Sequence, residues 1–159
     1  MTVDVRLEKA AKRLNPIWVQ EVVAETLAFE KIKKYSVSVL LTGDKEIRRL
    51  NKKYLKHDYA TDVISFGMNA DGRVGKRQAP APTERHYLGD VVASAAMAKS
   101  VAKEIGISFK EELARYLVHG TLHLLGYEDD TVKEKKKMHA RQEKILQRII
   151  VDRSLAKLL

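Results

Sequence analysis

The chain has no cysteine and only three prolines in 159 residues. The first absence removes disulfide staples and any thiolate-rich structural metal site. The second, together with 45% hydrophobic residues, fits a chain that folds around a core and is not disordered. Long apolar runs are missing too. No stretch approaches a membrane span and the opening MTVDVRLEKAAKRLN carries no apolar signal core, so a soluble cytoplasmic protein is expected. Acid is in short supply: 21 Asp+Glu stand against 30 Lys+Arg, giving a formal charge of +9 and a pI near 9.7. Such a balance favours a polyanionic partner, nucleic acid above all, over a cationic one. Thermal adaptation is a second source of such charge. The length fits a single domain, residues 1–159, able to bury roughly two thirds of its unfolded surface.

Strand and helix patterns then mix along the chain. Val3, Val5 and Leu7 alternate with Asp4 and Arg6, a half-buried strand. Asn15-Pro16 supplies a cap and a first-turn proline for a helix to about Glu30, with Val19, Val22, Val23 and Leu27 facing inward. Residues 36–41 read as a strand. Asp44 can cap a helix carrying Ile47, Leu50 and Tyr54 on one face and Lys45, Arg48, Arg49, Lys52, Lys53 and Lys56 on the other. Residues 62–66 form a third strand. The stretch 67–87 is broken by glycine and proline and reads as a basic excursion with a short hairpin at Asp71-Gly72. Residues 88–93 are a fourth strand, in which Asp90 needs a hydrogen-bond partner, expected from backbone or a basic residue. The next helix places Ala98, Val101, Ala102 and Ile105 on one face, and Ser108 with Glu111 and Thr131 with Glu134 are two capping boxes opening the last two helices. Lys133, Lys135, Lys136 and Lys137 crowd the start of the final helix, whose inner line is Met138, Ile145 and Ile149; these lysines read as a solvated face. His139 reads as surface, and His57 and His86 as loop residues. The elements do not alternate strictly as βαβ, so the expected fold is one α+β domain, a small mixed sheet packed with helices.

The most informative stretch is His119-Gly-Thr-Leu-His123-Leu-Leu-Gly126-Tyr-Glu-Asp129-Asp130. Histidines four apart on a helix stack one turn above the other and can hold one ion. A lone histidine on an apolar face is usually a hydrogen-bonded core residue. Two at this spacing, on a helix that is apolar nearly all round, followed by a helix-stopping glycine and a carboxylate cluster, point to a metal clip. Gly126 turns the chain so that Glu128, Asp129 or Asp130 can supply a third ligand. Three protein ligands leave the fourth tetrahedral position to water, the pattern of catalytic zinc. His119 and His123 would then serve catalysis through metal-bound water. Zinc peptidases carry glutamate directly after the first histidine as general base; here Gly120 stands there, which weakens that reading.

HGTLHLLGY resembles the H-G-x-L-H-L-x-G-Y-D-H signature of the YbeY-type endoribonucleases. Leu50-Asn51 with Tyr54, Thr61-Asp62-Val63-Ile64-Ser65-Phe66, and Leu88-Gly89-Asp90-Val91 resemble that family's LN-x-x-Y, T-[DN]-V-L-S-F and LGD-[IV] blocks, in family order. The resemblance implies a zinc-dependent, single-strand-directed endoribonuclease that matures the 3′ end of small-subunit ribosomal RNA and serves ribosome quality control. Ribosomal RNA, small-subunit ribosomal proteins and an assembly GTPase are the implied partners. It assigns His119 and His123 as ligands and puts Asp129 where the family usually has a third histidine. Leu55 falls where the family typically has arginine, so a ribosome-associated RNA-binding assembly factor with little nuclease activity is the alternative. Candidate RNA contacts are Lys52, Lys53, Lys56, Arg73, Lys76 and Arg77.

Overall fold

The computed structural model describes residues 2–68 and 86–152. Strand β1 (Thr2–Leu7) turns Val3, Val5 and Leu7 towards the core and pairs parallel with β2 (Tyr35–Thr42), Val3 opposite Val37. A 3-10 turn over Lys9–Ala11 follows β1, and the connection is completed by α1 (Pro16–Phe29). Asn15 caps that helix, its side chain accepting the Ile17 amide N–H at 2.9 Å, with Pro16 in the first turn as expected. Trp18, Val19, Val22, Val23 and Leu27 form the buried stripe.

After β2 come α2 (Asp44–Leu55), β3 (Val63–Gly67) and β4 (His86–Ser94). The strands lie in the order β1-β2-β4-β3, so β4 inserts parallel to β2 and antiparallel to β3. The sheet is therefore mixed. Its main core lies against α1 and α4 (Phe109–Leu124), closed by α3 (Ala95–Ile105) and α5 (Val132–Val151). α2 covers part of the opposite face through a small cluster of Ile47, Ile64 and Val92. Each fully buried leucine or valine contributes about 1.5–3 kcal/mol relative to an exposed one. The expected α+β domain is thus observed.

Several local expectations are corrected. Gly43, not Asp44, is the N-cap of α2; Asp44 sits in the first turn, where its carboxylate accepts the Ser94 hydroxyl at 2.6 Å and ties α2 to the end of β4. Ser108 caps α4 from one side only, whereas Thr131 and Glu134 form the full reciprocal box. Ile105 is exposed rather than packed, because α3 ends there at a left-handed Gly106. Tyr54 is also exposed, with its ring edge-on to Phe66 at 5.4 Å. Among the described residues Asp90 takes its side-chain hydrogen bond from the Tyr87 hydroxyl at 2.6 Å, not from backbone or a cation. His86 opens β4 and is not a loop residue. The proposed hairpin at Asp71-Gly72 lies outside the described residues. No described helix is long and apolar enough to cross a membrane.

Candidate metal centre

Helix α4 is buried along most of its length, and its seat on the sheet depends on Gly120. A Cβ there would lie 2.7 Å from Val91 Cγ1 and 2.9 Å from Val63 Cγ2, so hydrogen is all the space admits. The same close approach lets the Ser65 hydroxyl donate to the Gly120 carbonyl at 2.7 Å. A glutamate side chain at this position would start against the sheet, which gives a physical reason why the peptidase arrangement does not fit. With Gly120 facing the strands, the residues on either side are set at the helix flank, where His119 and His123 are half-buried.

The two imidazoles meet through Nε2 atoms 3.1 Å apart, and the Asp129 Oδ2 lies 3.5 Å from each. Their other nitrogens are both engaged. His119 Nδ1 donates to the Gln142 Oε1 at 2.7 Å, and His123 Nδ1 to the Tyr127 carbonyl at 2.9 Å. The Gln142 amide is oriented by its own N–H group donating to Glu143 at 3.1 Å. Because each Nδ1 faces an oxygen acceptor, its proton resides there and each Nε2 keeps a lone pair. Two lone pairs and a carboxylate oxygen converge with no hydrogen to share. Such a donor set repels itself unless a cation lies between, and its mixed nitrogen and oxygen character suits zinc. Burial, reinforced by the neighbouring His123, holds the His119 pKa below its ordinary value and so favours the neutral, ligating form. Of the three acidic candidates, Asp129 is the one brought to the histidines. Glu128 and Asp130 instead gather with Glu134.

A family model for endoribonuclease YbeY matches residues 4–150. The chain belongs to the YbeY endoribonuclease family. It is 39% identical over 130 residues to the endoribonuclease YbeY of Halalkalibacterium halodurans, covering 80% of this chain and 82% of that one. It is 42% identical over 118 residues to that of Bacillus licheniformis, covering 74% of each. Against Caldanaerobacter subterraneus YbeY the figure is 37% over 150 residues, covering 92% of this chain and 95% of the relative. A solution structure of a Thermotoga maritima protein shares the fold with a TM-score of 0.61 at 21% identity, covering 92% of this chain and 87% of that one.

Around the centre this YbeY-family chain builds two supports. The loop after α4 is anchored by Tyr127, whose hydroxyl donates to Glu30 at 3.2 Å, while Arg141 donates to the same carboxylate at 2.6 Å and stacks on Phe29 at 4.5 Å. Beside His119 opens a cavity of about 240 Å³ lined by Asp62, Tyr116, Asp129, Lys135 and His139 among others. Its Arg115 guanidinium is held by Glu112 at 2.7 Å, Glu143 at 2.9 Å and Glu111 at 3.6 Å. Burial pushes the Glu143 carboxyl up, and the hydrogen bonds from Arg115 and Gln142 more than offset this, leaving it below its ordinary pKa. Burial first, then Glu112, raises the Tyr116 phenol.

The expected RNA contacts are only partly placed. Lys52, Lys53 and Lys56 are exposed at the end of α2: Lys52 lies 3.7 Å from Asp58, Lys53 sits over the Tyr54 ring, and Lys56 is the left-handed cap. Arg73, Lys76 and Arg77 lie outside the described residues. Leu55, the last residue of α2, is 44% exposed. His139 is exposed as expected, yet it lines the cavity rather than plain surface. Sequence reasoning missed Gln142, Glu30 and the Tyr127 carbonyl. Gln142 did leave a signal: it lies four residues after Met138 and three before Ile145, a lone amide on the inner stripe of α5. The other two left none, since a backbone carbonyl and a surface-spaced glutamate carry no pattern.

Proposed function

We propose that this chain is a metal-dependent, single-strand-directed endoribonuclease that matures the 3′ end of small-subunit ribosomal RNA in the cytoplasm and takes part in ribosome quality control. The observation that carries the reading is the convergence of His119 Nε2, His123 Nε2 and Asp129 Oδ2, each imidazole locked by an acceptor at Nδ1, in a chain whose relatives are named endoribonucleases. His119, His123 and Asp129 would hold one Zn²⁺. When bound, such an ion lowers the pKa of a coordinated water and draws charge from a phosphoryl oxygen. The chain's own residues do the rest. Gln142 and Tyr127 fix both rings, burial keeps His119 neutral, and Asp62 and Tyr116 line the space beside the centre. The cations at the end of α2, Lys52, Lys53 and Lys56, hold the sugar-phosphate backbone of an unpaired strand, the form of RNA whose bases and backbone are both accessible. Small-subunit ribosomal proteins and an assembly GTPase are the partners this reading brings.

A second reading is an RNA-binding assembly factor with little nuclease activity. Leu55 favours it, because an exposed aliphatic side chain at the end of α2 offers phosphate no charge. Metal content and cleavage decide between them. Protein purified without added metal should carry close to one ion per chain, and His119→Ala and Asp129→Ala much less. Precursor RNA should be cleaved by the wild type and left intact by His123→Ala, with RNA affinity retained. A metal-loaded wild type that cuts no precursor RNA would favour the assembly factor.

A further inference from the structure

The lysines that open α5 have no part in the metal centre. Lys133, Lys135, Lys136 and Lys137 stand in turns where the helix dipole disfavours cations, so they do not serve the helix itself. All four are exposed. Among the described residues none of them forms an ion pair, and the only ring contact is Lys137 over Tyr127 at 5.9 Å. Their position relative to the centre gives them a use. Lys135 and His139, one helical turn apart, line the same cavity as His119 and Asp129. The other cation lining that cavity, Arg115, is consumed by its three glutamates. Lys135 is therefore the free cation of the cavity among the described residues. Of the acids lining the cavity, Glu112 is paired with Arg115, Asp129 faces the imidazoles, and one Asp62 oxygen accepts the Val63 amide N–H at 2.7 Å.

We propose that Lys135 and His139 form a phosphate subsite for the RNA chain, receiving the phosphodiester next to the one presented to the His119–His123–Asp129 centre. Lys133, Lys136 and Lys137 continue this track outward along α5. The inference rests on the ribonuclease reading and adds to the strand's path a second wall, supplied by α5. An ammonium and an imidazole N–H at i and i+4 project the same way and can bind neighbouring oxygens of one phosphate.

The test is binding of a fluorescent single-stranded oligouridylate to the full chain as purified, read by anisotropy over a salt series, with RNA integrity checked by electrophoresis after each titration. Lys135→Gln with His139→Gln should weaken binding several-fold and flatten the salt dependence by about 0.7 in log–log slope, the share of one phosphate contact on a single strand. Lys144→Gln removes the same charge from an exposed position of α5 that does not line the cavity and should change binding far less. In turnover the cavity variant should raise KM and spare kcat. Equal losses in the double cavity variant and in Lys144→Gln, or none in the cavity variant, would overturn the subsite while leaving the ribonuclease reading intact. A wild type that binds no single-stranded RNA would overturn both.

Discussion

Replacing Gly120 with alanine should loosen the protein, although alanine is the better helix former. In an exposed helix the exchange gains about 1 kcal/mol. Here the new methyl would lie 2.7 and 2.9 Å from the γ-methyls of Val91 and Val63 and 3.1 Å from the Ser65 hydroxyl. Both valines belong to paired strands, β4 and β3, and β-branched side chains have little χ1 freedom with which to swing aside. The helix must move instead. Overpacking costs about 1–3 kcal/mol; with two contacts under 3.0 Å, both to stiff side chains, this site falls at about 2–3 kcal/mol, and the propensity gain of about 1 kcal/mol leaves a net loss of about 1–2 kcal/mol. For a chain of this size that is a fall in Tm of about 2–8 °C. The same displacement carries His119 away from Gln142 and stretches the Ser65–Gly120 hydrogen bond. Urea and thermal unfolding of wild type and Gly120→Ala provide the measurement, with an unchanged m-value showing that the folded and unfolded states are otherwise alike. A midpoint equal to or above the wild type would refute the argument that α4 rests on the sheet through this residue.

Further consequences can be measured in the same way. Gln142→Leu frees the Nδ1 of His119 and should weaken metal binding about 10–100-fold in competition with a chromophoric chelator, the range for groups that orient a ligand; unchanged affinity would remove Gln142 from the site's support. A chelator should lower the Tm of the wild type and leave that of His123→Ala unmoved, since a ligand held only by the folded state adds about 4 kcal/mol at a thousandfold excess over Kd. Glu143→Gln should blunt the loss of stability in acid: a carboxyl held below its ordinary pKa stabilises the fold above that ordinary value, near 4.5, and ceases to as pH falls through its folded pKa. Tyr35→Phe should be neutral or stabilising, because the buried hydroxyl has no hydrogen-bond partner among the described residues. Burial, with Glu21 and Glu25 adding to it, pushes that phenol up to about 12, so its contribution is complete below pH 10 and lost as pH rises towards 12. The phenylalanine variant should accordingly tolerate alkali better, and an unaltered alkaline limb would count against the assignment.

Local chemistry made much of this fold legible. Asn15-Pro16 and Thr131 with Glu134 announce their helices because capping is settled within a few residues. Strand alternation in β1 and β2 exposes which side faces the core. What the sequence did not display is the insertion of β4 between β2 and β3, since strand order depends on partners far apart in the chain. Asp44 was misread as a cap for the same reason: its acceptor capacity is used by Ser94, fifty residues away. At the site, helical spacing and the turn at Gly126 were enough to bring His119 and His123 together and to narrow the third group to three acids. The resemblance put Asp129 at the third position, and the path of the loop, held by the Tyr127–Glu30 contact across 97 residues, is what brings its carboxylate to the two rings.

The hydrogen bond from His119 to Gln142 spans 23 residues, and it has a bearing on when the centre can exist. A growing polypeptide acquires His119, His123 and Asp129 well before Gln142. Until α5 has emerged and docked, the first imidazole has no fixed tautomer, and the loop bearing Asp129 lacks Arg141 to hold its Glu30 anchor. A nascent chain whose α5 has not yet docked would thus hold the three ligating groups without their supports, and the centre would be complete only once that helix folds against α4.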